Sequence, residues 1–273
     1  MRRRSAVAVI LLAAVSSLHA QAPDGNAILR AAGVALPRGG AAAAFDAGLT
    51  GPEPVPPGAF ATLIVGMGPV GNAARVRNAY AFGVLAGRSA RHVPPAELAG
   101  AGVALVQMLA SDHRPSRVTA SRVAGYVFAA PIDGLPPPMR PAGLLEGVFN
   151  LFNSGNEAEQ LAAMEAIGLL RETAAVPALI ERFSRWRERE RRQAGAALEA
   201  LARIGDPQAA DLVRSLADDP WADRDDAAGL AAAFAREKYL HDGSVKRLQE
   251  ATSDRSLGPR ARSYLAELGV PVP

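Results

Sequence analysis

Small residues recur along this chain at the interval of a helical hairpin, and that recurrence restricts its possible folds more than any other feature. Six segments align on a small residue in an apolar setting. They are V-R-N-A-Y-A-F-G-V-L ending at Leu85, A-S-R-V-A-G-Y-V ending at Val127, A-M-E-A-I-G-L-L ending at Leu170, A-L-E-A-L-A-R-I ending at Ile204, D-A-A-G-L-A-A-A ending at Ala233, and A-R-S-Y-L-A-E-L ending at Leu268. The aligned residues are Gly83, Gly125, Gly168, Ala202, Ala231 and Ala266, separated by 42, 43, 34, 29 and 35 positions. Each segment reads as an Ala-rich helix whose small residue lets a neighbouring helix pack close. The chain's 58 alanines suit that design.

A second helix follows each of the clearer segments. Leu179, Ile180 and Phe183 continue from Val176, and Leu212, Val213 and Leu216 continue from Ala209, each as the i, i+3, i+4, i+7 stripe of a helix with one buried face. Leu98, Gly102, Leu105, Val106 and Leu109 form an earlier stripe, and Val245 with Leu248 a fainter later one. The connection I-G-D-P-Q-A-A explains how one helix stops and the next starts within three residues. Gly205 can adopt the left-handed C-cap conformation, Asp206 can accept from orphan amides, and Pro207 fits a first turn where no amide donor is needed. Asp219 and Pro220 repeat the device. Hairpins of this kind cannot bury their stripes alone, so stacking follows. The expected fold is an all-α α-solenoid of about five to six stacked hairpins with an irregular N-terminal cap.

The segments A-I-G-L-L-R-E-T-A-A-V-P-A-L-I, Ala166 to Ile180, and A-L-A-R-I-G-D-P-Q-A-A-D-L-V, Ala200 to Val213, resemble HEAT repeats, in the short HEAT-like form also found in phycobilisome lyases. V-R-N-A-Y-A-F-G, Val76 to Gly83, resembles the first helix of such a repeat. The resemblance is specific over residues 156–217, moderate over 73–130, and weak before 57 and across 218–257. It implies a scaffold for protein contacts, on a fold that many unrelated functions use.

Ahead of the repeats, Arg2, Arg3 and Arg4 precede an apolar run from Ala6 to Leu18 and a small-residue site ending at Ala20 or Ala22. That is the pattern of a secretory signal peptide, and the run is too short to span a bilayer. The expected organisation is a signal peptide over 1–22, an irregular cap over 23–58 and the solenoid over 59–273. The mature protein is expected to be exported, periplasmic or secreted, with no stable membrane anchor after cleavage. Two Pro/Gly-rich stretches, Gly48 to Gly58 and Pro131 to Gly143, read as a separator and a long loop.

Composition narrows the chemistry. Removing the three leader arginines takes the formal charge from +3 to near zero, which gives no support to nucleic-acid binding. The absence of cysteine excludes disulfides, thiolate metal sites and lipidation of a leader cysteine. His92, His113 and His241 are too scattered to suggest a metal site, and the acidic run from Asp218 to Asp226 lacks the Gly and terminal Glu of a calcium loop. His113 beside Asp112 and His241 beside Asp242 fall at helix junctions, where capping is the expected role. Among the signatures absent are G-x-S-x-G, H-E-x-x-H, and the Walker and kinase motifs. No cofactor, metal or catalytic residue is assigned.

What remains is a non-catalytic interaction protein with a protein partner of unknown identity. The Arg-rich stretch from Glu181 to Arg192 supplies its candidate surface, Arg182, Arg185, Arg189 and Arg192. The solvated alternative for that stretch is a helix end with Glu and Arg pairs four apart, and Trp186 continues a core stripe. A competing enzymatic reading uses G-M-G-P-V-G, Gly66 to Gly71, as a nucleotide or cofactor turn, or invokes lyase-like chemistry. A strand over A-T-L-I-V would complete the first part of a dinucleotide fingerprint. No second strand ending in an acid follows about 20 residues on, and Pro57 to Met67 is better read as a helix ending in a Gly-Pro turn.

Overall fold

Alanine, leucine and short polar caps carry most of this chain into helices. The computed structural model describes residues 25–31, 57–68, 71–88, 93–129, 139–223 and 226–273, and every regular element among them is helical. Residues 1–22, read as a signal peptide, and most of the expected cap lie outside the described residues. In chain order the α-helices are α1 (Gly25–Ala31), α2 (Ala59–Gly66), α3 (Asn72–Arg88), α4 (Pro95–Leu109), α5 (Arg114–Val127), α6 (Leu144–Phe152), α7 (Glu157–Leu169), α8 (Val176–Trp186), α9 (Arg191–Ile204), α10 (Ala210–Ser215), α11 (Ala227–Leu240), α12 (Val245–Ala251) and α13 (Gly258–Glu267). Residues 25–31, inside the segment read as an irregular cap, form a helix that packs on α3.

The helices form two layers. In the first layer α3, α5, α7, α9 and α11 lie side by side, each against the next. The second layer sets α2, α4, α6 and α8 in the same order, and the 3-10 turn Pro207–Ala209 leading into α10 packs on α8. Each hairpin joins one helix of each layer, so the fold is the stacked all-α solenoid that the small-residue spacing implies. Leu63 lies buried in α2, where a parallel sheet would have been needed for a nucleotide fold.

The aligned small residues do what their spacing suggests, with one change of register. A Cβ on Gly125 would stand 2.8 Å from Ala166 Cα, and one on Gly168 would stand 2.9 Å from Ala200 Cα. Consecutive first-layer helices therefore meet backbone to backbone. In α9 the corresponding closest approach is made by Gly195, 3.2 Å from Ala228 Cα, two turns before the aligned Ala202. Gly83, Ala202 and Ala231 are buried, whereas Ala266, on α13, is exposed.

The caps follow their chemistry. Gly205 takes the left-handed conformation at φ 71°, and Asp206 accepts from the Gln208 amide at 2.9 Å. Asp219 accepts from the Trp221 amide at 2.9 Å, and Asp226 accepts from the amides of Ala228 and Gly229. These two acids thus serve helix starts. At the α7 end the left-handed position belongs to Arg171, at φ 51°, and the Glu172 amide donates to the Ile167 carbonyl at 3.1 Å. His113 precedes α5 with Nδ1 2.9 Å from Ser116 Oγ, and His241 takes the left-handed position after α11. Aromatic contacts tie the layers together. Phe183 meets Trp221 edge-on at 5.0 Å, Trp221 Nε1 donates to the Arg187 carbonyl, and Phe234 stacks on Tyr264 at 4.4 Å.

Candidate functional site: a charged groove on the first helix layer

The four arginines proposed from the sequence do not form one surface. Arg182, on α8, lies over the Phe152 ring at 3.6 Å and donates to the Phe152 carbonyl and to Asn153 Oδ1, so it closes the C-terminal end of α6. Burial, and then the neighbouring Arg185, lower its pKa from the ordinary guanidinium value. Arg185 is exposed on the second layer and pairs with Glu181 one turn away. Arg189 is exposed in the turn between α8 and α9, where its amide donates to the Trp186 carbonyl. Only Arg192, in the first turn of α9, reaches the groove described next. Trp186 packs, half-buried, against the core.

That groove, of about 110 Å³, runs across the first layer and is lined by Arg122 and Tyr126 of α5, Leu161 and Glu165 of α7, Arg192, Ala196, Glu199 and Arg203 of α9, and Arg260, Ser263 and Tyr264 of α13. Helices α5 and α13 face one cavity with α7 and α9 between them. The polar side chains cross from helix to helix. Arg122 Nε donates to Glu165 Oε2 at 3.0 Å, and the Tyr126 hydroxyl donates to Glu165 Oε1 at 3.1 Å. Arg203 grips the Glu267 carboxylate with Nε at 3.1 Å and Nη2 at 2.9 Å, while its Nη1 pairs with Glu199. Arg260 Nη2 lies 3.6 Å from Glu199 Oε2.

Burial and charge oppose each other here. Burial disfavours the Glu199 carboxylate, but Arg203, Arg260 and the Tyr264 hydroxyl together hold its pKa below the ordinary carboxylate value. Burial likewise works against the Arg203 cation, and Glu199 and Glu267 outweigh it to raise the pKa well above the usual guanidinium value. Burial and Glu199 push the Tyr264 hydroxyl up strongly. Glu199 and Arg203 are therefore held in their charged forms; Arg203 is only 9% exposed, Arg260 45% and Arg192 74%. The lining holds four guanidiniums and two carboxylates, and Glu267 and Glu157 at its edge pair with Arg203 and Arg192.

A positional signal for this groove exists in the sequence and was missed. Arg122, Glu165 and Glu199 each stand three residues before an aligned small residue, and Tyr126, Arg203 and Glu267 each stand one after. In a helix those two positions are four apart and share a face.

Among the described residues, the segment leading into the glycine turn is helical, where a dinucleotide turn needs a strand. The segment read as a possible strand is helix α2, and Gly66 is small because Asn78 sits against it: a Cβ there would stand 2.5 Å from Asn78 Cγ. Asn78 Nδ2 donates to the Ala74 carbonyl at 2.9 Å and to the Gly66 carbonyl at 3.3 Å. Positions 69 and 70 lie outside the described residues. Among the described residues no group of three metal-ligating side chains converges.

Comparison with known proteins places residues 145–233, from α6 into α11, under the family model for HEAT repeats. None of the curated proteins matches the chain.

Proposed function

Given that the chain carries HEAT repeats across residues 145–233, we propose that it is an exported, non-catalytic scaffold that holds a partner protein against the groove on its first helix layer. HEAT repeats are commonly protein-interaction scaffolds, and such repeats are typically non-catalytic. The observation that carries the reading is the groove itself. Side chains from four separate helices converge on one cavity, and Arg122 and Arg203 are hydrogen-bonded across helices to Glu165 and Glu267. A rigid, polar, multi-helix concavity offers area and orientation to a ligand chain. The Arg-rich leader and the small-residue site at Ala20 or Ala22 support export.

Only two lysines, Lys238 and Lys246, are present, so lysine-directed cross-linking samples one end of the molecule. A photo-reactive amino acid at Ser263 or Ala196 places the probe in the groove, and the same group at Gln208 places it on the other layer. In the native exported fraction, mass spectrometry should find a chain beginning at Gln21 or Pro23, with a partner protein attached from Ser263 and Ala196 but not from Gln208. Cross-links from Gln208 alone would move the binding face to the second layer. A full-length chain retained inside the cell would remove export.

A further inference from the structure

Building on the scaffold reading, we infer that the groove reads acidic side chains of an extended polypeptide, with Arg192 and Arg260 as the contact residues. The first support is internal. Arg203, nearly buried on α9, is gripped by the Glu267 carboxylate, which arrives from α13, 64 positions along the chain. The groove thus already binds one carboxylate by the two-pronged guanidinium geometry that favours planar anions. Arg122 meets Glu165, from the next first-layer helix, through a single Nε hydrogen bond.

The second support is what is left over. Arg192 lies 3.7 Å from Glu157 Oε1, and Arg260 3.6 Å from Glu199 Oε2, both beyond hydrogen-bond distance. Both guanidiniums are substantially exposed and line the same cavity. Glu199 is shared with Arg203, which binds it more closely. The lining therefore has two partly exposed cations held only by loose ion pairs, in a concave space where a ligand charge is screened less than on open surface.

The mixed lining selects among anions. A uniformly charged polymer running through the groove would meet Glu165 and Glu199 as well as the arginines. A polypeptide can set a carboxylate against Arg192 or Arg260 and turn amide or other donor groups toward the two glutamates. The complementary partner is an acidic peptide segment.

Fluorescence anisotropy of the purified chain tests this with three probes: a C-terminally amidated peptide alternating Glu and Ser, its Lys and Ser counterpart, and labelled heparin. The acidic peptide should bind saturably, the lysine peptide should not, and added salt should weaken the complex. Arg192→Glu and Arg260→Gln should each weaken it by about fivefold or more, whereas Arg214→Glu, exposed on α10, should leave it unchanged. Circular dichroism confirms that each variant is folded, and Arg192→Glu, at an exposed position, carries the test if Arg260→Gln is not. Equal binding of the lysine peptide, tighter binding of heparin, or acidic binding that survives Arg192→Glu would overturn the inference. Absence of acidic binding alongside persistent photo-cross-links from Ser263 removes the acidic partner and leaves the scaffold; loss of both removes both.

Discussion

At single residues, the stack is decided by who lacks a Cβ. Gly168 sits in the interior of α7, where helix propensity alone would favour alanine by roughly 1 kcal/mol. A Cβ there would stand 2.9 Å from the backbone of Ala200, and a backbone atom cannot swing aside as a side-chain tip can. Overpacking of this kind costs about 1–3 kcal/mol, so the steric effect wins. Gly168→Ala should lower the unfolding free energy by up to about 2 kcal/mol, read as a lower midpoint of chemical denaturation. A rise would mean that α7 and α9 are not in backbone contact. Arg182 teaches a related lesson. Its charge suggested a surface, but the Phe152 ring and the end of α6 claim it, and nothing within its own helix announces a partner 30 positions earlier.

Among elements, the charged network joins α9 to α13 and makes their association sensitive to pH. Glu199 is held below its ordinary value, so its stabilising contribution is complete above about 4.5 and is lost as pH falls through the lower folded value. Tyr239, on α11, donates to the carbonyls of Leu201 and Asp206, and burial, with Asp206, raises it from 10.0 to about 12. Its contribution is complete below 10.0 and disappears as pH rises toward 12. Thermal melts across pH should therefore show an acid limb that flattens in Glu199→Gln and an alkaline limb that flattens in Tyr239→Phe. At neutral pH, Glu199→Gln should cost about 3 kcal/mol, because it strips a charge partner from the buried Arg203. An unchanged acid limb in that variant would place the titrating group elsewhere.

For the whole molecule, neighbour-to-neighbour packing predicts how damage spreads. Tyr264 and Leu265 of α13 are fully buried, and the Tyr264 ring covers Phe234. Ending the chain after Leu257 should remove hydrogen-exchange protection from α11 and α9 while leaving α3 and α5 close to native, as expected where stability is summed from adjacent units. Uniform loss across the chain would show a single cooperative core instead. The same truncation removes Arg260 and one wall of the groove, so it should also abolish photo-cross-linking from Ala196.

The helices, their caps and the order of stacking could be read from the residues alone, because an apolar stripe, a left-handed glycine and an aspartate before a helix all act within a few positions. The cap at Asp206 and the close approaches at Gly125 and Gly168 stand where that reading put them. The groove could not be located in the same way. It exists because α13 comes to lie beside α9, and the place of a helix relative to one some 60 positions earlier is the accumulated result of how every unit between them packs. Charge pairs such as Arg203 with Glu267 are set by that accumulated geometry. Local chemistry therefore determined the repeating unit, and the tertiary structure alone decided which of its charged faces would meet across a common space.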